Sequence, residues 1–426
     1  MFLIFDTETT GLPKNWKQDY THTDNWRRMV QLAWQLHDET GKLIENKNFI
    51  IKPDGYEIPF AVAKVHGITT ERANRDGVDV KIALEEFHND LKRSKYNVGH
   101  NIEFDINVVG CEFFRLGDLE PLVTKLDSID TKDESTQWCT IHGGRGGQFK
   151  WPTLTELHTK LFGEGFADAH DAAYEVDATA RCFFGMIIQN VYVPEEVEDY
   201  TKVVYEPPVL EAANFVDTTT NEVSSIDNED IDIDHLEDVH FSHLHVHSQF
   251  SVLQSTSTID SMVAKAKEHG STAIALTDHG NMMAAFHFVR AAIKADIKPI
   301  VGCEFNLCED HKNKSLKDDG YQTVLLAKNK NGYHNLAKLS SAAFTDGFYY
   351  VPRIDRILLS QYKGDLIATT GGLWGEVPNA IINEGEATAE EIFLWWKEEF
   401  GNDFYVELCR HGVEEEDYVN TVLLKF

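Results

Sequence analysis

The chain has 426 residues, 42% hydrophobic and 11% aromatic, enough for two or three globular domains with cores of their own. Its formal net charge of −31 excludes a protein that grips nucleic acid by bulk electrostatics; such a substrate would need local basic groups, metal ions or a partner. No run approaches the ~18 apolar residues of a membrane span, the first residues lack a basic signal-peptide start, and the six cysteines form no CxxC pair, which together predict a reducing, cytoplasmic setting without a membrane partner.

Taken in order, the apolar runs predict strands over Phe2–Phe5, Val30–His37 and Leu43–Ile51, and helices over Lys81–Lys92 and Glu175–Gln189. This alternation predicts an α/β domain over residues 1–190. The first strand runs into Asp6 and Glu8, whose i, i+2 spacing sets both carboxylates on one strand face. Acids beside a core are costly unless they are paired or hold a metal. Asp105 follows a polar turn in "NVGHNIEFD", and "ADAHDAAYEVDATARCFF" supplies His170 and then, on a helix, Glu175 or Asp177. Several carboxylates can hold two Mg²⁺ or Mn²⁺ ions, and a histidine can take a proton from an attacking water. "HGGRGGQF" around Arg145 lacks the Gly-Lys-Ser/Thr ending of a phosphate loop and reads as a mobile loop.

From Val203 to Ala264 there is no Lys or Arg, and the acidic, aromatic-poor middle of that stretch predicts a tether, placed at 191–239. A second domain follows at 240–426. In "SMVAKAKEHG", "STAIALTDHG" and "KPIVGCEFNL", helix, strand and a polar residue at the strand end repeat with the rhythm of an α/β barrel. His243, His245 and His247 alternate, so a strand would point them one way. His279 and Glu304 follow buried strands, and His411 sits in "VELCRHG". Imidazoles and carboxylates at strand ends suit Zn²⁺, Mn²⁺ or Fe²⁺. "VNTVLLKF" breaks off inside an apolar helical pattern, as expected of a fragment of a longer polypeptide or an incomplete domain.

"FDTETTGLP", "FAVAKVHGIT", "HNIEFD" and "AHDAAYEVDATA", in that order within residues 1–190, resemble the motifs of the DnaQ-like (DEDDh) proofreading 3′–5′ exonucleases. The resemblance implies a ribonuclease H-like mixed sheet. It also implies two Mg²⁺ or Mn²⁺ ions on Asp6, Glu8, Asp105 and Glu175, His170 as general base, and Thr9, His66 and Asn101 beside the 3′-terminal nucleotide. The family has an Asp where Glu175 stands. The ungapped match keeps Glu175 in register, and Asp177, about 200° further round the helix, is the alternative.

"HLHVHSQFSVL", "LLAKNKNGYHNLAKLSS", "FYYVPRID" and "GGLWGEVP" resemble the PHP domain of DnaE-type bacterial DNA polymerase III alpha subunits, here a truncated α/β barrel. This second resemblance implies His245, His247, His279, Glu304 and His411 as metal ligands, Zn²⁺ being one of the ions that would suit them. Gln254 and Gln322 stand where the family has an Asp and a His, so a chiefly structural PHP domain, packed against the polymerase, is expected. An exonuclease ahead of a PHP domain resembles the arrangement in alpha subunits of Bacteroidetes-like bacteria. The implied protein is the N-terminal part of a replicative polymerase that proofreads DNA with a free 3′ end. Its implied partners are downstream polymerase domains and replisome subunits such as the sliding clamp. The alternatives are a free-standing nuclease or phosphoesterase on RNA or small phosphate esters, and a catalytically degenerate scaffold.

Overall fold

The computed structural model describes residues 1–166, 171–209 and 241–426, and the chain divides into an N-terminal and a C-terminal unit. The strands of the first unit are β1 (Phe2–Thr9), β2 (Met29–His37), β3 (Leu43–Ile50), β4 (Tyr96–Gly99) and β5 (Asp127–Asp130). They form one mixed sheet of order β3-β2-β1-β4-β5, with β1, β4 and β5 parallel and β2 and β3 antiparallel to their neighbours. This is the expected ribonuclease H-like arrangement. The helices are α1 (Phe60–His66), α2 (Thr70–Asp76), α3 (Val80–Leu91), α4 (Glu103–Leu116), α5 (Thr131–Cys139), α6 (Leu154–Phe162) and α7 (Ala172–Ile188).

Strand alternation divides β1 between two cores. Leu3 and Phe5 pack with Phe87 of α3 and Val108 and Phe113 of α4, whereas Phe2 and Ile4 pack with Val176, Phe183 and Phe184 of α7. Each of these side chains is fully buried or nearly so, worth roughly 1.5–3 kcal/mol apiece relative to exposure. β1 runs four residues past the expected end because β2 continues alongside, pairing Thr7 with Leu32 and Glu8 with Gln31. Asp6 and Glu8 therefore lie in a sheet's central strand.

Residues after α7, expected to begin the tether, instead pack onto this unit. Val197 and Val203 are buried, Val204 N donates to Thr40 O (2.9 Å), and the Tyr205 ring stacks on Phe184 at 5.7 Å. These apolar side chains outweigh the stretch's acidic composition. The rest of the expected tether, 210–239, lies outside the described residues.

The second unit contains α8 (Ile259–Glu268), β6 (Ala273–Leu276), α9 (Ala285–Lys294), β7 (Lys298–Cys308), β8 (Tyr321–Ala327), α10 (Lys330–Thr345), β9 (Arg353–Asp355), α11 (Arg356–Tyr362), β10 (Leu366–Thr369), α12 (Glu376–Asn383), α13 (Glu386–Phe400), β11 (Phe404–Tyr405) and α14 (Glu414–Leu423). Its mixed sheet has the order β11-β10-β8-β7-β6, with β9 beside the end of β7; among the described residues it stays open rather than closing into a barrel. Residues 243–246 extend the edge next to β6, where Ala275 N donates to His243 O (2.8 Å) and Thr277 N to Val246 O (2.9 Å). Phe305, Leu325, Leu336, Trp396 and Phe404 fill the main core, and Met262 and Phe288 cover β6 from α8 and α9.

Candidate active site and metal centre

Asp6 and Glu8 share the β1 face that packs on α7, and Glu175 stands in the first turn of that helix. α7 is started by Asp171, whose Oδ1 accepts from Ala173 N (2.9 Å) and from Gln31 Nε2 (3.1 Å) of β2. Asp105, in the first turn of α4, arrives from the opposite side of the sheet. Thr7, between the two acids of β1, points that way and donates to Asp105 Oδ1 through both its backbone N (3.0 Å) and its Oγ1 (2.6 Å). Two donors on one oxygen fix the rotation of a carboxylate that is 4% exposed.

These acids disturb one another. Burial, then repulsion from Asp105, Glu175 and Glu8, raises the Asp6 carboxyl well above its usual range. Glu8 is pushed up to about 9 by burial, then by Glu175, Asp105 and Asp171. Burial raises Asp105 to about 7 against the pull of the two Thr7 bonds. Among the described residues no ion pair reaches Asp6, Glu8 or Asp105. Glu112, 2% exposed, shows the alternative: Arg28 Nε (2.9 Å), Arg115 Nη1 (2.8 Å) and Met29 N (3.1 Å) all donate to it. Three carboxylates that no described cation meets are a fitting donor set for hard divalent ions. Asp177 stays outside the group. Its Oδ1 accepts from Tyr205 OH (2.5 Å), and it is not among the acids acting on Asp6, Glu8 or Asp105.

The other expected residues are placed less uniformly. Thr9 is buried at the end of β1, its Oγ1 donating to Gly11 O (2.8 Å). His66 is 3% exposed and backs the Thr9 carbonyl. Its Nδ1 accepts from Ile68 N (3.1 Å), which leaves the buried Nε2 to face the Thr9 carbonyl. Asn101 is exposed in a left-handed conformation (φ 69°), its N donating to Asp130 Oδ1 (2.9 Å). His170 lies outside the described residues. Arg145 sits in an exposed turn, at the base of which Lys150 N donates to Ile141 O (2.7 Å).

In the second unit, Glu304 on β7 is 1% exposed and is met from three sides. His245 Nε2 lies 2.8 Å from its Oε2, His247 Nε2 3.5 Å from the same oxygen, and His279 Nδ1 2.5 Å from Oε1. The ligand atoms of His245, His247 and Glu304 lie within 4.8 Å of one another, and His247 Nε2 is buried without a hydrogen bond. That orphaned nitrogen beside a carboxylate fits a metal with N and O ligands. His245 Nδ1 contacts Glu407 Oε1 (2.7 Å), whose other oxygen accepts from Thr369 Oγ1 (2.7 Å), the kind of outer partner that orients a ligating imidazole. Asp278 fixes His279 from behind: it accepts from Ser248 N (2.7 Å) and Ser251 Oγ (2.7 Å), and Ser251 Oγ accepts from His279 N (3.0 Å). His411 is not brought to this set. Its side chain is 78% exposed, and Nδ1 bonds Glu416 Oε1 (2.6 Å). Asp310, His311 and Asp355 form another close set, but Asp355 there pairs with His311 and caps α11 through Leu358 N (2.8 Å), which accounts for it structurally.

Residues 3–183 match the family model described as Exonuclease, and residues 243–411 match that of the PHP domain. The chain thus carries a segment similar to exonuclease domains followed by one similar to PHP domains. Its relatives include the DNA polymerase III subunit alpha of Borreliella burgdorferi, 44% identical over 190 residues (44% of this chain, 17% of the relative). Those of Chlamydia trachomatis (44% over 177 residues; 41% and 14%) and Aquifex aeolicus (41% over 196 residues; 43% and 17%) are similar. The chain spans about a sixth of the length of these relatives. Escherichia coli exonuclease I with a dA16 oligonucleotide aligns over 44% of this chain and 40% of its own at 23% identity and TM-score 0.35, too distant to inform the site. The match of residues 3–183 to the exonuclease family implies divalent metal ions.

Three supporting residues escaped the sequence reading. Thr7 of the exonuclease domain had a visible signal: between two acids on a strand it must face the other way. In the PHP domain, Glu407 repeats the strand-then-acid pattern of Glu304, but behind a strand of only two residues. Asp278 gave no signal of its own, since its role depends on Ser248 and Ser251, distant in sequence.

Proposed function

We propose that this chain is the N-terminal part of a bacterial DNA polymerase III alpha subunit, and that its exonuclease domain removes nucleotides from the 3′ end of DNA in the cytoplasm. The observation that carries the reading is the convergence at the end of β1 of Asp6, Glu8 and Asp105, whose carboxyls are all raised by burial and by one another or Glu175. Asp6, Glu8, Asp105 and Glu175 would hold two Mg²⁺ or Mn²⁺ ions, and Thr7 keeps Asp105 turned for that task. Bound there, the ions would neutralise charge on the reacting phosphodiester and on the attacking and leaving oxygens. His170 would accept the proton of the attacking water, and Thr9, backed by His66, with Asn101 would border the terminal nucleotide. The net charge of −31 leaves the grip on duplex DNA to downstream polymerase domains and partners such as the sliding clamp, which would deliver a frayed 3′ end.

In the PHP domain, His245, His247 and Glu304, with His279 and Glu407 around them, would hold Zn²⁺ and brace residues 243–247 against β7. The reading is tested with a primer carrying a paired or mispaired 3′ nucleotide. Faster excision of the mispaired end supports proofreading; equal rates, or cleavage inside the strand, would remove it.

A further inference from the structure

The C-terminal ends of β4 and β5, beside the acid-bearing end of β1, are tied to a third segment that enters α6. His100, just after β4, contacts Thr131 Oγ1 through Nδ1 (3.0 Å) and donates from Nε2 to the Pro152 carbonyl (3.0 Å). Lys132, just after β5, donates from Nζ to Asn101 Oδ1 (2.8 Å) and lies 5.0 Å from the centroid of the Trp151 ring. Trp151 is nevertheless 62% exposed. An indole that size on the surface is held on one side by a cation and a tethered backbone, and open on the other. The nearby acid is spoken for: Asp130 Oδ1 accepts from Asn101 N (2.9 Å) and Lys132 N (2.9 Å), and its Oδ2 faces Lys132 Nζ at 3.7 Å.

We infer that Trp151, braced by Lys132 and Asn101, is a stacking platform for a base of single-stranded DNA upstream of the 3′-terminal nucleotide. This rests on the exonuclease reading and deepens it. β5 lies two strand spacings from β1, ~10 Å, which is the rise of up to about three stacked nucleotides at ~3.4 Å each. A base one to three positions from the cut thus comes level with the end of β5, where Lys132 meets the ring. Stacking suits a protein this acidic, because a π-face binds any base without adding net positive charge.

The test compares Trp151→Ala, Trp151→Phe and wild type in the full chain. A ten-residue oligothymidylate and the p-nitrophenyl ester of thymidine 5′-monophosphate, which fills the terminal position alone, serve as substrates. Oligonucleotide binding is followed separately by fluorescence anisotropy with Ca²⁺. Trp151→Ala is expected to weaken oligonucleotide binding about tenfold and to lower kcat/KM on the ten-mer about tenfold more than on the ester, with Trp151→Phe restoring most of both. Equal losses on the two substrates, or unchanged anisotropy, would overturn the platform. A wild type that binds but cleaves neither substrate would defeat the exonuclease reading instead, leaving the platform to be decided by anisotropy.

Discussion

Replacing Glu175 and Asp177 in turn separates two acids only two residues apart on α7. Glu175→Gln removes a charge that repels Asp6, Glu8 and Asp105, so the metal-free fold keeps or gains stability at pH 8. It also removes a carboxylate from the group that would hold the ions. Losing ~3 kcal/mol of transition-state stabilisation corresponds to about a hundredfold in rate, and at least that loss is expected. Asp177→Ala does the reverse. Tyr205 OH loses its 2.5 Å acceptor and keeps the backbone carbonyl of residue 177 at 3.5 Å and Gln35 Oε1 at 3.3 Å, an oxygen that His37 Nε2 already contacts at 2.9 Å. A cost of about 1–2 kcal/mol follows, or roughly 2–8 °C in Tm, with cleavage changed by no more than a few fold. The assays are release of mononucleotide from an end-labelled oligonucleotide and thermal unfolding in EDTA. If Asp177→Ala abolished cleavage while Glu175→Gln only lowered Tm, the assignment of Glu175 would be refuted.

Thr7→Val keeps the shape of the side chain but removes the 2.6 Å bond to Asp105 Oδ1; calorimetry should show Mn²⁺ binding weakened about tenfold, and Thr7→Ser should restore it. The raised Asp105 pKa sets the sign of a pH dependence. From about pH 4 to pH 7 the folded, metal-free protein holds a proton that the unfolded chain has released, so stability falls by a few kcal/mol as pH rises through that window. Denaturant unfolding in EDTA at pH 5 and pH 8 should show the drop, and Mg²⁺ should reduce it. In the PHP domain, His245→Ala should abolish stoichiometric Zn²⁺ uptake measured by elemental analysis, whereas His411→Ala, altering an exposed side chain, should leave it intact.

Much of this architecture is legible in the sequence because it rests on local periodicity. The apolar runs of β2 and β3 and the helical spacing of α3 and α7 gave their elements to within a few residues. Asp6 and Glu8 were readable for the same reason, since strand alternation alone puts them together. What escaped depends on contacts between distant segments. Nothing local to Asp105 announces that Thr7 will clamp it from the strand across the sheet. Residues 191–206 read as acidic tether because composition averages over Val197, Val203 and Tyr205, the side chains that dock. His411 and Glu407 lie four residues apart, and only the short β11 decides that Glu407 turns toward His245 while His411 faces solvent.

The central claim is metal-dependent attack at a free 3′ end, and one measurement meets it directly. A 5′-labelled single-stranded DNA is incubated with the chain in Mg²⁺ or Mn²⁺, beside the same DNA with a blocked 3′ end and an RNA of equal length. The account predicts a ladder shortening one nucleotide at a time from the free 3′ end, no ladder in EDTA, with the blocked strand or with Asp6→Ala, and slower loss of the RNA. Shortening of the blocked strand, cleavage in EDTA, or an undiminished Asp6→Ala would contradict it.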